Sequence, residues 1–222
     1  MNLTLFDLDG TLIPNDSDHA FGAFMVDIGW ANGEQWRERN DEFYAQYQAG
    51  RLDLDGYIDF ATAVWRSRPL AEAHAARERF MQEVMAPMLQ DKARALVRKH
   101  LDAGDLVAIV TATNEFVTEP IARAFEVEHL LAVQLKRDAE GRYLGAVQGV
   151  PSYQAGKISR VQDWLKDLGR QWQDFERVTF YSDSVNDLPL LELVSHPVAT
   201  NPTPALTDIA SARGWPILNL FA

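Results

Sequence analysis

A chain of 222 residues that is 47% hydrophobic can bury one sizeable core plus a modest insertion. It has no cysteine, which excludes disulfides, thiolate catalysis and cysteine-held metals. A net charge of -11 opposes nucleic acid and anionic membranes as general partners, and no apolar run approaches the roughly 20 residues that span a bilayer.

The first element lies at the N-terminus, where Leu3, Leu5 and Phe6 read as a short buried strand ending in Asp7-Leu8-Asp9-Gly10-Thr11. Side chains two apart on a strand point the same way, so Asp7 and Asp9 leave the strand end together. Gly10 lets the backbone turn sharply beneath them. Two acids converging on one small site can divide a reaction, one attacking and the other handling protons. An ordinary Asp-Gly turn is the plainer reading. The chain enters this strand without a basic region and apolar segment before it, which predicts no signal peptide and a cytoplasmic protein.

After Ile13-Pro14 the β-pattern stops, and residues 14–87 read as helices. Trp36, Phe43, Tyr44 and Tyr47 recur at helical spacing, as do Tyr57, Ile58, Ala61 and Trp65, and both stripes are expected to be packing surfaces. Asp91 to Gly104 reads as an amphipathic helix stopped by its glycine. Leu106 to Val110 is a second apolar strand, ending in Thr111-Ala112-Thr113-Asn114, and a helix follows to Phe125. Leu131 to Leu135 and Arg142 to Val147 flank Asp138-Ala139-Glu140-Gly141 as an expected hairpin. Lys157 opens a helix after Gly156, running to Leu168. Val178 to Tyr181 is a third apolar strand, ending in Ser182-Asp183-Ser184-Val185-Asn186-Asp187. Pro197 to Ala199 and Ile217-Leu218 read as later short strands.

Strand-helix alternation of this kind predicts an α/β fold, a doubly wound parallel sheet with helices on both faces. The expected division is a core of residues 1–13 and 88–222 with a helical insertion at 14–87. Three strands end in hydroxyls or carboxylates, and in open parallel sheets those ends share the edge where ligands bind. The scattered His74, His100, His129 and His196 show no ligand spacing and read as structural or solvent-facing.

In order along the chain, Asp7-Leu8-Asp9-Gly10-Thr11, Thr111, Lys157 and Ser182-Asp183 with Asn186-Asp187 resemble the four motifs of the haloacid dehalogenase-like hydrolases. The chain is similar to their phosphoserine-phosphatase-like branch. That resemblance implies a Rossmann-like core, and a helical cap that closes over the catalytic edge and excludes water during phosphate transfer. It implies Mg²⁺ held by the Asp7 carboxylate, the Asp9 backbone carbonyl and the Asp183 carboxylate, with Asn186 and Asp187 supporting it from behind. Asp187 is also expected to position Lys157. Asp7 would attack phosphorus, Asp9 would act as acid and then base, and Thr111, the backbone around Ala112 and Lys157 would bind the phosphoryl oxygens. The charges agree: two like charges about 4 Å apart cost roughly 4 kcal/mol at an effective dielectric of 20, so clustered acids beside a phosphate need cations. Asp9 must hold a proton at neutral pH, and its anionic neighbours are expected to raise it. Dehalogenases of the family lack an acid at the position of Asp9, so its presence favours phosphate esters, while a phosphotransferase or mutase would use the same core.

Substrate choice falls to the cap. Phosphoserine phosphatases carry a Glu nine residues beyond the nucleophile that grips the substrate ammonium; that spacing gives Asp16 here, with Asp18 and His19 beside it. Where those enzymes place an Arg for the substrate carboxylate, the ungapped alignment gives Asp59, with Arg51, Arg66 and Arg68 as candidate substitutes. An acidic cap suits a cationic amino-alcohol phosphate such as histidinol phosphate, although surface solvation is the plainer reading of these acids. The expected partner is a small-molecule phosphate ester. A receiver-type signalling module and a catalytically silent binding protein are the alternatives from other classes; the former has no cap and keeps its acceptor on a later strand.

Overall fold

The computed structural model describes residues 1–221. Eight strands occur in chain order: β1 (Leu3–Phe6), β2 (Leu106–Asn114), β3 (His129–Val133), β4 (Leu135–Arg137), β5 (Tyr143–Val147), β6 (Val178–Ser182), β7 (His196–Thr200) and β8 (Ile217–Leu218). Six of them form one parallel sheet in the order β3-β2-β1-β6-β7-β8. Its central strands are buried on both faces, which is why they read as continuous apolar runs rather than alternating ones. The register sets Phe6 beside Ile109 on one side and Tyr181 on the other. Asp7 therefore leaves the sheet between the ends of β2 and β6. The chain winds outward from β1 in both directions, so this is also where strand order reverses, the place such sheets bind ligands.

Between β1 and β2 lie α1 (Ser17–Asp27), α2 (Gly33–Gln48), α3 (Leu54–Arg66) and α4 (Leu70–Phe80), a short π turn and 3₁₀ turn through Met88, and then α5 (Asp91–Asp102). Gly104 adopts φ +73° just beyond α5, and the amides of Gly104 and Asp105 close on the carbonyls of Leu101 and His100. The later helices are α6 (Glu115–Ala124), α7 (Gly156–Asp167), α8 (Leu188–Leu193) and α9 (Pro204–Arg213). One face of the sheet packs Leu3, Leu5 and Phe180 against Val161 and Leu165 of α7 and Leu190 of α8. The other face continues into the inserted helices, joining Phe6 and Ile109 to Phe21, Ile58, Trp65 and Phe80. The cap thus shares a core with the sheet.

The expected hairpin is present, but its first strand begins later than the apolar run suggests. The apolar run Leu131–Leu135 is divided, because Leu130 and Leu131 pair with β2 in the main sheet. The chain leaves the sheet at Gln134, whose carbonyl accepts the Gln148 amide at 2.8 Å. The antiparallel pair is β4 with β5, where Lys136 and Arg137 are exposed. Tyr143 of β5 meets Trp65 of α3 edge-on at 4.9 Å, and Trp65 stacks on Phe116 of α6 at 4.0 Å. The hairpin braces the cap against the core. A polar clasp does the same near the catalytic edge: Asn186 donates to the Tyr47 carbonyl and Gln154 to the Gly50 carbonyl, each at 3.0 Å.

Candidate active site

The first catalytic strand ends under tight control. The Asp7 amide still donates to the Tyr181 carbonyl at 2.9 Å, extending the sheet ladder by one residue. The amides of Thr11, Leu12 and Ile13 then all converge on the Leu8 carbonyl. That turn leaves the Asp9 carbonyl outside its hydrogen bonds. Gly10 sits at φ +75°, and a Cβ there would collide with the Asp183 carboxylate, so glycine is required twice over.

Lys157, in the first turn of α7, places Nζ 2.7 Å from Asp7 Oδ1 and 2.7 Å from Asp187 Oδ1. The Ser182 hydroxyl donates to Asp187 at 2.7 Å and fixes its orientation. All three charged side chains are at most 4% exposed. Burial alone would lower the lysine pKa, but the Asp187 and Asp7 carboxylates more than reverse it, so the ammonium is locked on. Burial pushes Asp7 up to about 7 despite the opposing charge of Lys157. It also pushes Asp183 well above the carboxylate range, with Asp7 and Asp187 adding to the effect. The Thr11 hydroxyl lies 3.3 Å from Asp7 Oδ2 and 3.2 Å from Asp183 Oδ1, and its single proton serves only one of them at a time. The pocket is short of positive charge.

Asp9 is held differently. Its Oδ1 accepts the Ser17 amide at 2.6 Å, and its Oδ2 accepts the Thr113 hydroxyl at 2.8 Å. The Thr111 hydroxyl reaches the same Oδ2 only at 3.5 Å and also accepts the Thr113 amide. Desolvation raises Asp9 to about 7, with the Asp16 charge second. The direction matches the expectation, but the main cause is burial rather than neighbouring anions.

Residues 4–192 match the family of haloacid dehalogenase-like hydrolases. The chain belongs to that family. It is a hydrolase of the family's phosphatase type. A histidinol-phosphatase from Neisseria meningitidis serogroup C (strain 8013) is 42% identical over 221 residues, covering 98% of both chains. Phosphoserine phosphatase SerB1 of Mycobacterium tuberculosis H37Rv is 31% identical over 218 residues, covering 96% of this chain and 68% of that protein. Among solved structures, a protein of unknown function from Bordetella pertussis Tohama I superposes with TM-score 0.93 at 46% identity, over 99% of both chains. A substrate-bound phosphoserine phosphatase shares the fold with TM-score 0.68 at 16% identity, over 98% of this chain and 92% of that one.

The residues of this haloacid dehalogenase-like hydrolase fit a small hard cation. The Asp7 and Asp183 carboxylates share one hydroxyl donor, and the Asp9 carbonyl stands outside the turn. Among the described residues no three acidic or histidine side chains form a ready-made cage. Mg²⁺ does not need one, since it keeps several waters and is held by one or two carboxylates plus substrate phosphate.

Beside this edge, α1, α2, the start of α3 and Ala112-Thr113 line a narrow recess that opens to solvent. It shares Asp16, His19, Tyr44 and Tyr47 with an open cleft that reaches Asp9, Gly10 and Asp183. Asp16 caps α1, its Oδ1 accepting the His19 amide at 2.8 Å. Asp18 is 5% exposed and accepts Asn114 Nδ2 at 3.1 and 3.2 Å, with Tyr57 also bonded to it. Burial raises Asp16 to about 6 and Asp18 to about 7. His19 Nε2 is 2.7 Å from Asp41. No lysine or arginine lines the recess. Arg66 pairs with Asp59, and Arg68 lies over Trp30 at 4.2 Å; both line a separate cleft. Neither stands in for the missing carboxylate clamp, and Arg51 is exposed.

Four contacts escaped the sequence reading. Thr113 shares its strand face with Thr111, so the period of two could have flagged it. Thr11 stands four residues from Asp7 in the turn. The Ser17 amide reaches Asp9 only because α1 folds back, and Asn201 donates to the carbonyls of Gly10 and Thr11 at 3.0 and 3.1 Å from a distant loop. Nothing local marks either. Asn186, expected behind the metal, makes its side-chain contact with the cap at Tyr47.

Proposed function

We propose that the chain is a cytoplasmic, Mg²⁺-dependent phosphomonoesterase for a small amine-bearing phosphate ester of the histidinol phosphate type, working through an aspartyl-phosphate on Asp7. The observation that carries the substrate class is the recess itself. It is lined by two carboxylates and by no lysine or arginine, and its one histidine, His19, is paired with Asp41, so it favours an amine over a substrate carboxylate. The 42% identity to a histidinol-phosphatase supports the same choice over phosphoserine. Residues 14–87 serve as the cap, with Asp16, Asp18 and His19 facing the substrate's organic end.

In this mechanism an Asp7 carboxylate oxygen attacks phosphorus as the bond from phosphorus to the ester oxygen breaks. Asp9, raised to about 7, gives its proton to the departing alkoxide. It then takes a proton from the water that attacks the acyl phosphate, and inorganic phosphate leaves with Asp7 restored. Lys157, Thr111 and the backbone at Ala112 hold the phosphoryl oxygens as charge shifts between them. Mg²⁺, held by the Asp7 and Asp183 carboxylates and the Asp9 carbonyl, would supply the positive charge that keeps Asp7 ionised beside a phosphate. Asp187 keeps Lys157 aligned.

The test is a comparison of kcat/KM for histidinol phosphate, phosphoserine, sugar phosphates, nucleotides and p-nitrophenyl phosphate, with Mg²⁺ and with chelator. Histidinol phosphate leading the panel, with activity lost to chelator, is the expected result. A preference for phosphoserine or for a neutral sugar phosphate overturns the substrate class.

A further inference from the structure

Asn40 of α2 is 3% exposed and lines the recess together with Asp16 and Asp18. Its orientation is settled by one contact: Nδ2 donates to the His19 carbonyl at 3.1 Å. The other end of the amide, Oδ1, is buried and has no hydrogen-bond partner among the described residues. Buried polar atoms are almost always paired, so an orphan acceptor on a residue that lines the recess calls for a donor, which a ligand bound there can supply. Reversing the amide would set its Oδ1 against the His19 carbonyl oxygen, so the acceptor cannot be traded away.

The surroundings define that donor. The polar residues that line the recess are Asp16, Asp18, His19, Asn40 and Thr113, beside one phenylalanine and three tyrosines. Phe43 and Tyr57 stand 5.4 Å apart at 59°, a wall suited to a flat or cationic group. Ala112 and Thr113 line the same recess from the core side, so a phosphate bound at the strand ends places its organic substituent here.

We propose that Asn40 is a specificity-determining residue whose Oδ1 accepts an N–H from a second nitrogen of the substrate, distinct from the amine taken by Asp16 and Asp18. The inference rests on the amine-ester reading above and sharpens it. The substrate class becomes phosphate esters of amino alcohols that carry a further N–H group, a heteroaromatic ring included, rather than simple aminoalkyl phosphates. Asn40 makes no contact with the transferred phosphate in this scheme, so it acts on KM more than on kcat.

The experiment measures kcat and KM for histidinol phosphate and for O-phosphoethanolamine in the wild type, Asn40→Leu and Asn40→Ala. Leucine conserves shape and alanine avoids crowding, so one reports if the other fails to fold. The expected result is a wild-type preference for histidinol phosphate that falls at least tenfold in both variants, mainly through KM. Weaker binding of histidinol by calorimetry should accompany it. A wild-type preference that survives within twofold in a folded variant overturns the role of Asn40 alone. A wild type that prefers neither nitrogen-bearing ester over p-nitrophenyl phosphate overturns the substrate class and this inference with it.

Discussion

Lys157 Nζ lies 2.7 Å from Asp7 Oδ1, with both side chains almost fully buried. A lysine so placed does two jobs: it offsets the carboxylates in the resting enzyme and meets the phosphoryl oxygens during transfer. Removing one partner of a buried ion pair costs about 3–5 kcal/mol, and losing one donor to developing charge costs about 10²–10³ in rate. Lys157→Met should therefore lower kcat by at least about a hundredfold. It should also depress the thermal midpoint of the metal-free protein more at pH 8 than at pH 5, because acid protonates the uncompensated carboxylates. Melting curves at the two pH values check this; equal losses would mean the lysine does not balance Asp7 and Asp187.

Thr113 donates to the carboxylate proposed as acid and base, at 2.8 Å. A hydrogen bond to a carboxylate favours its charged form and lowers its pKa. Thr113→Val keeps the shape and removes the donor, so the Asp9 pKa should rise. The basic limb of kcat/KM against pH, set near 7 by the protonated acid, should then move to higher pH while kcat falls. A profile that keeps its basic limb while activity drops would show that Thr113 acts by packing.

Five acids around the site have raised pKa values, so metal-free stability should depend on pH in the opposite sense to ordinary acid denaturation. Asp18 is the clearest case, because it stands apart from the proposed metal ligands. Its folded pKa of about 7 exceeds the unfolded 3.8, so its contribution is fully present below 3.8 and is lost as pH rises through 7. At about 1.4 kcal/mol per pH unit the loss is on the order of 4 kcal/mol. The metal-free midpoint should be higher at pH 5 than at pH 8, and Asp18→Asn should flatten the difference. Chemical denaturation across that range measures it.

Much of this architecture was legible because it is written locally. Apolar runs that end in Asp7, Thr111 and Ser182 each state a strand and its functional end, and a shared edge follows from parallel pairing. The period of 3.6 marked α2, α3, α5 and α7 for the same reason. The break at Gln134 was not legible, since Leu131 to Leu135 looks the same whether it pairs with β2 or with β5. Contacts between cap and core were hidden as well. Asn186 with Tyr47, Ser17 with Asp9, and Asn114 with Asp18 join residues that only the folded chain brings together. The cause of the Asp9 shift was misjudged for that reason, because burial under a cap leaves no mark on the sequence around the acid.

The nucleophile is the claim on which the rest stands, and trapping it is the direct measurement. Wild-type enzyme quenched in acid during turnover of histidinol phosphate, or of p-nitrophenyl phosphate, should yield a phosphorylated peptide containing Asp7. Treating the quenched protein with hydroxylamine should release the phosphate, as expected of an acyl phosphate. Asp7→Asn should abolish both the adduct and turnover while the fold is retained. Phosphate found on another residue, or steady turnover by a folded Asp7→Asn enzyme, would contradict covalent transfer through Asp7.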